Sequence, residues 1–146
     1  MTIRTMTIDD YAPIYALWRN TPGMGLNDRD DSREGIAKYL ARNPNTCFVA
    51  EMDGEIIGAI LSGHDGRRGR ICHTAVAQSH QRQGVGVLLV DAAMNALQRE
   101  GISKVLLVAF ARNEKGNTFW EKQGFAARDD LVYRNKELVE LVRIDT

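Results

Sequence analysis

The sequence predicts an α/β fold of the α+β kind, a mixed central sheet in the order β-α-α-β-β-β-α-β-α-β-β. Three observations carry that expectation. A strand over residues 70–76 is followed by Gly84-Val85-Gly86, and an apolar helix over residues 87–100 starts at once. Residues 104–110 then form a continuous apolar run of strand length, as expected of a strand covered on both faces. These three pieces make a βαβ unit. Upstream, Asp53-Gly54 between two apolar segments is a strong two-residue hairpin turn.

The remaining elements follow in order. Residues 2–6 read as a strand, and Asp9 or Asp10 caps a helix through about Arg19 with Tyr11, Ile14, Leu17 and Trp18 on one face. Pro13 is tolerated in the first turn of that helix. Residues 20–31 have no period and are rich in turn formers, so they form a loop. Asp31-Ser32-Arg33-Glu34 gives a capping-box pattern for a second helix, which Asn43-Pro44 stops. Strands over 46–52 and 55–62 flank the Asp53-Gly54 turn, and residues 63–69 make a wider turn before the fourth strand. In the helix after Gly86, Asp91, Asn95, Gln98 and Arg99 form a single polar stripe, and Gly101 caps its C-terminus. Asn113 opens a last helix that Gly124 ends, and two more strands are expected at 126–132 and 138–144.

Composition bounds the function. At 146 residues with 44% apolar content, one domain over residues 1–146 with a real core is expected, and no repeat or linker argues for a second. Nineteen acidic and nineteen basic residues cancel, so no basic field marks a nucleic-acid or anionic-membrane partner. Neither a signal peptide nor a membrane-spanning segment is visible, and the expected location is the cytoplasm. There, Cys47 and Cys72 are expected as free thiols. The oligomeric state is open, a homodimer included.

The two glycines at the strand-to-helix turn leave N–H groups aimed out of the positive end of a helix dipole, which is an anion site suited to phosphate. Spacing separates the motifs that use such a turn. A nucleoside-triphosphate loop needs Lys and then Ser or Thr after its second glycine, where Val87 and Leu88 stand. The dinucleotide fingerprint needs a small residue at position 89, which is Leu.

What fits is Gln81-Arg82-Gln83-Gly84-Val85-Gly86, which resembles the coenzyme A pyrophosphate loop of the GNAT superfamily of N-acetyltransferases. Downstream, Asn113 and the segment Phe119-Trp120-Glu121-Lys122-Gln123-Gly124-Phe125 resemble that superfamily's second signature, in its order and at its separation. The resemblance covers residues 46–125. It implies that the fourth and fifth strands splay to admit acetyl-CoA as co-substrate, with no metal. The pantetheine arm would meet the main chain of Thr74, Ala75 and Val76, and the pyrophosphate would meet Arg82, Gln83, Gly84, Val85, Gly86 and Val87. Asn113, Phe119 and Trp120 would complete the coenzyme site. The implied activity is transfer of acetyl to a primary amine, of a small molecule or a peptide, by direct attack, and the acceptor itself is not readable. One departure stands out: the superfamily commonly has Tyr where this chain has Trp120, and an indole N–H can donate a hydrogen bond but cannot act as an acid. That departure keeps a second class open, a non-catalytic acyl-CoA-binding regulatory module.

The attacking amine needs a general base. Strict alternation along the fourth strand puts Arg70, Cys72, Thr74 and Val76 on one face, and Ile71, His73 and Ala75 on the other. His73 has the more suitable chemistry, whereas the resemblance favours the parity of Cys72, so both are candidate catalytic residues and only one can see the amine. His64 and Asp65 are expected to shape the wide turn. A zinc site from His64, Cys72, His73 and His80 is not expected, since neighbours 72 and 73 should point oppositely. The acceptor should be gripped by the loop at residues 23–29, where Asp28, Asp30 and Asp31 stand ready to attract a cation.

Overall fold

The computed structural model describes residues 1–144. It contains β1 (Thr2–Thr5), α1 (Tyr11–Arg19), α2 (Arg33–Arg42), β2 (Phe48–Met52), β3 (Glu55–His64), β4 (Gly69–Val76), α3 (Val85–Arg99), β5 (Val105–Leu106) and α4 (Glu114–Lys122). The five strands form one sheet in the order β1-β2-β3-β4-β5, antiparallel up to β4 and parallel between β4 and β5.

Local chemistry sets the ends of these elements as the sequence leads one to expect. Asp53 and Gly54 both take positive φ (51° and 78°), as a tight primed hairpin turn requires. The cap of α2 is shifted by one residue from the Asp31–Glu34 box: Ser32 caps it by accepting the Gly35 N–H at 3.0 Å. Arg4 ties β1 to its neighbours, donating to both carboxylate oxygens of Asp10 and to Glu51 at 2.8–2.9 Å. The wide turn is held from inside: Asp65 Oδ1 accepts the N–H groups of Arg67 and Arg68, and His64 Nε2 lies 2.9 Å from Glu100. Those two backbone donors hold the Asp65 carboxyl below the usual aspartate value.

The sheet divides two buried clusters. On one face α1 and α2 contribute Ile14, Leu17, Trp18, Ile36 and Leu40, packed with Val49, Ala59, Leu61 and Ala75. On the other, α3 contributes Val85, Leu89, Val90 and Ala93, packed with Ile57, Ile60 and Ile71. Asp91, Asn95, Gln98 and Arg99 are exposed on α3, as its polar stripe requires.

Three stretches of the chain form elements with other bounds than the sequence reading gives, or form none. α3 starts at Val85, two residues earlier than expected, because Gly84 at φ +81° already turns the chain into the helix. The apolar run at 104–110 is not a strand covered on both faces: only Val105 and Leu106 pair with β4, and Leu106 and Val108 are about half exposed (48% and 49%). Beyond that short ladder the two segments part, which opens a fork. The two strands expected at 126–132 and 138–144 do not form. With so short a β5 there is no long ladder to extend, and Leu131, Val132, Tyr133 and Leu138 stay exposed. The end of this segment instead docks on the α1–α2 loop, where Asp28 and Val142 exchange hydrogen bonds and Ile144 N–H donates to the Leu26 carbonyl at 2.9 Å.

Candidate active site

The fork opens between β4 and the segment after β5. Near the start of α3 the groups that face out are main chain. Gly84 caps α3 with no side chain to offer, and the first bond of the helix runs from Leu88 N–H to the Gly84 carbonyl at 3.1 Å. Among the described residues nothing accepts from the N–H groups of Val85, Gly86 and Val87, so three donors face outward at the positive end of a 15-residue helix. Arg82, although not glycine, also takes a left-handed φ of 62°, a conformation that costs free energy and helps form an anion-binding concavity. Gln81 and Gln83 brace the loop by donating to the Val76 and Ser79 carbonyls.

The two glycines serve different needs. A Cβ on Gly84 would meet nothing within 4 Å, so glycine is required there by its left-handed backbone. A Cβ on Gly86 would lie 3.2 Å from the Phe119 ring. Gly86 therefore lets α4 approach α3, a packing role that the phosphate argument alone does not contain. Phe119 and Trp120 meet edge-to-face at 5.0 Å, and Trp120 meets Phe125 at 5.3 Å, forming one aromatic wall of the fork. Asn113 caps α4 through Oδ1, accepting from Gly116 N–H at 3.0 Å. Its amide nitrogen, at the rim of the cleft, has no partner among the described residues.

At the other end, strict alternation fails. Ser62 pairs with Ile71, but Ile60 pairs with Thr74, so three steps on β4 match two on β3. This bulge inserts one residue at Cys72-His73. Before it, Ile71 packs on the α3 side. After it, Ala75 packs on the α1–α2 side, while Val76 joins the α3 side and Thr74 pairs with Ile60 of that same cluster. Cys72 and His73 consequently both face α1 and α2, which corrects the expectation that neighbours 72 and 73 point oppositely.

Each of the two has a partner there. His73 Nε2 lies 2.7 Å from Asp31 Oδ1, and Trp18, fully buried, holds the ring edge-to-face at 4.8 Å. Asp31 is itself buried, and its second oxygen accepts the Asn27 N–H at 2.9 Å. Cys72 Sγ lies 3.8 Å from Tyr39 Oη. Although Cys72 opens on the cleft, the protein packed around its sulfur pushes the thiol pKa up, outweighing the pull of Tyr39 and Arg70 in the other direction. Burial pushes Tyr39 up strongly, and Cys47, sealed in the core with its thiol on the Ser62 carbonyl, up to about 12. Thr74 Oγ1 is buried beside the fork with no partner among the described residues.

The α1–α2 loop, α2, β4 and residues 107–110 enclose a cleft of about 2030 Å³ that also reaches Asn113 and Trp120. Of the sequence-based candidates, Cys72, His73, Thr74, Asn113 and Trp120 line it, whereas Ala75 is buried in the core and the loop at 82–87 lies outside it. The sequence marks Asp31 only as part of a capping box and as one of three aspartates that could attract a cation. Its pairing with His73 spans 42 residues, and no local spacing signals it.

A cleft that forks a sheet, with unpaired main-chain N–H groups beside it and a carboxylate-backed imidazole within it, is an arrangement suited to acyl transfer. The sequence model of the Acetyltransferase (GNAT) family matches residues 11–125, and the chain belongs to that family. It is 27% identical over 140 residues to Acetyltransferase SG1711 of Sodalis glossinidius, covering 96% of this chain and 97% of that one. Its fold is similar to that of the PaiA N-acetyltransferase of Thermoplasma acidophilum, solved in complex with coenzyme A (TM-score 0.77, 19% identity, 88% of this chain and 91% of that one). It is likewise similar to Ard1 of Thermoplasma volcanium (TM-score 0.75, 24% identity, 86% and 82%). The protein is an N-acetyltransferase. Among the described residues no helix is long and apolar enough to cross a membrane.

Proposed function

We propose that this chain moves acetyl from acetyl-CoA to a primary amine by direct attack, with His73 as general base and Asp31 as the residue that orients it. The 2.7 Å contact between His73 Nε2 and the buried Asp31 carboxylate carries the reading. Both Asp31 oxygens are acceptors already engaged, one by Asn27 N–H, so Nε2 holds a hydrogen toward Asp31. That leaves the Nδ1 lone pair to take the proton of the attacking amine. Cys72 does not compete: its raised pKa keeps it a thiol at neutral pH, unable to accept a proton.

The coenzyme site fits the residues present. Val85, Gly86 and Val87 would hold the pyrophosphate by N–H groups that have no other acceptor, with Arg82 and Gln83 in the loop. The main chain of Thr74, Ala75 and Val76 would line the pantetheine, with the unpartnered Thr74 hydroxyl and Asn113 amide nearby. Acetyl-CoA supplies the thioester. Phe119 and Trp120 wall the fork against water, and Trp120 offers an N–H but no acid, so the thiolate leaves without a proton from this position.

Thiol release from acetyl-CoA over a panel of amines tests the reading, with Asp31→Asn as the diagnostic variant. An asparagine at position 31 has one acceptor for two donors, and turning its amide toward His73 would reverse the tautomer. A fall in kcat of about 10–10³-fold with little change in acetyl-CoA affinity is expected. No thiol release with any amine, alongside tight acetyl-CoA binding, would favour a regulatory module instead.

A further inference from the structure

The acceptor end of the cleft has a charge pattern opposite to the one the loop sequence suggests. Its three aspartates are committed to structure: Asp31 to His73 and Asn27, Asp30 Oδ2 to the Asn27 amide, and Asp28 Oδ1 to the Val142 N–H. They hold the loop and the C-terminal segment in place. Glu34 also lines the cleft, one helical turn before Lys38, and the cleft's Lys and Arg side chains outnumber its carboxylates. Lys38 and Arg42 line it from α2, one helical turn apart and flanking Tyr39, and Arg70 lines it from β4. None of these three makes an ion pair or side-chain hydrogen bond among the described residues. Arg70 is near enough to Tyr39 and Cys72 to pull both pKa values downward, against the larger effect of burial.

Arg70, Cys72 and His73 share one face of β4, so the unpaired guanidinium and the base stand within about 10 Å along the strand. We infer that the acceptor is a small amino-carboxylate, a free amino acid or close analogue, whose amine meets His73 while its carboxylate meets Arg70, Lys38 and Arg42. Arginine forks are suited to carboxylates, and a polyamine or aminoglycoside would meet a lining with six Lys and Arg side chains against four Asp and Glu side chains. The inference rests on the transfer reading above and names its acceptor.

Matched acceptors test it. Alanine, glutamate and lysine, each compared with its own α-carboxamide, and spermidine as the polycation, are assayed for kcat/KM in thiol release. Every acid is expected to exceed its carboxamide by about ten- to hundredfold, mostly in KM, from one or two charge-assisted bonds. Arg70→Met and Lys38→Met/Arg42→Met should erase that ratio by lowering kcat/KM on the acids by about ten- to hundredfold more than on the carboxamides. Carboxamides equal to or better than the acids would overturn the inference, as would a preference for spermidine or for a C-terminally amidated peptide. Calorimetric titration of the same pairs onto the CoA-bound protein reads the carboxylate preference without turnover. Carboxylate-dependent binding with no thiol release would therefore fault the transfer reading and uphold the acceptor class. Turnover without the preference would do the reverse.

Discussion

Outside the cleft, at the start of α3, the unpaired groups are main-chain N–H groups of Val85, Gly86 and Val87, consecutive in the chain. Within it, on the α1–α2 side, the groups of the candidate site are side chains, with Asp31 and His73 brought together across 42 residues. The first site tolerates changes of side chain so long as the backbone keeps its path. The second depends on a single extra residue in β4 and on a carboxylate with no spare oxygen. Substitutions should therefore act on the two sides through different kinetic constants: coenzyme affinity on one, the chemical step on the other.

The largest effect is expected on the side-chain side. His73→Gln should lower kcat/KM by about 10²–10⁴-fold while leaving acetyl-CoA affinity within a small factor. Cys72→Ala, one position away on the same face, should change kcat by little. Steady-state kinetics on the two variants decide the matter, and a severe Cys72→Ala with a mild His73→Gln would break the comparison at its base.

On the main-chain side, Gly86→Val drives a branched side chain into the Phe119 ring and displaces the loop. Loss of one charge-assisted bond, at roughly 1.5–3 kcal/mol, corresponds to about ten- to 150-fold weaker acetyl-CoA binding. Because the collision is with Phe119 and not with phosphate, Gly86→Val/Phe119→Ala should regain part of that affinity in a calorimetric titration. No recovery would mean that the ligand, and not α4, is what a side chain at 86 obstructs.

Trp120→Phe sharpens the boundary between the two sides. It keeps most of the aromatic wall with Phe119 and Phe125 and removes only the indole N–H, so a fall in kcat of less than about tenfold is expected. A fall above a hundredfold, with the fold and coenzyme affinity intact, would assign that N–H a part in the chemistry.

The smallest effect lies away from the cleft. Arg4 holds the Asp10 carboxyl below its ordinary value of 3.8 by its hydrogen bonds, with burial opposing. A depressed folded-state pKa contributes stability that is full above the unfolded value and fades as pH falls through the folded one. Arg4→Met should thus cost roughly 1–2 kcal/mol at pH 7, about 3–8 °C in Tm, since Arg4 is partly open to solvent. In thermal melts the gap between variant and parent should close as pH drops below 3.8. A gap constant with pH would show that Arg4 acts by packing alone.

How much of this was legible in the sequence follows the same division. The glycine spacing, the hairpin at Asp53-Gly54, the polar stripe of α3, the cap at Asn113 and the stop at Gly124 are local signals, and the structure keeps them, whereas the cap of α2 falls on Ser32, one residue past the Asp31 of the capping-box pattern. Alternation along β4 is also local, and it failed at one bulge that only the pairing with β3 creates. The segments at 126–132 and 138–144 have strand length in the sequence, but whether a segment joins a sheet depends on an edge to pair with, and the β4–β5 ladder is only two residues long. Asp31 looked like a helix cap because the capping box is a four-residue signal, whereas its partner lies on another element.

The tautomer of His73 tests the central claim most directly. Two-bond ¹H–¹⁵N correlation spectra of the uniformly labelled protein, recorded where the imidazole is neutral and assigned with His73→Gln, distinguish the two ring nitrogens. Hydrogen on Nε2 with an unprotonated Nδ1 in the parent, and a shift toward the opposite tautomer in Asp31→Asn, is the expected result. Hydrogen on Nδ1 in the parent, unmoved by Asp31→Asn, would mean that Asp31 does not orient His73, and the base would have to be sought elsewhere in the cleft.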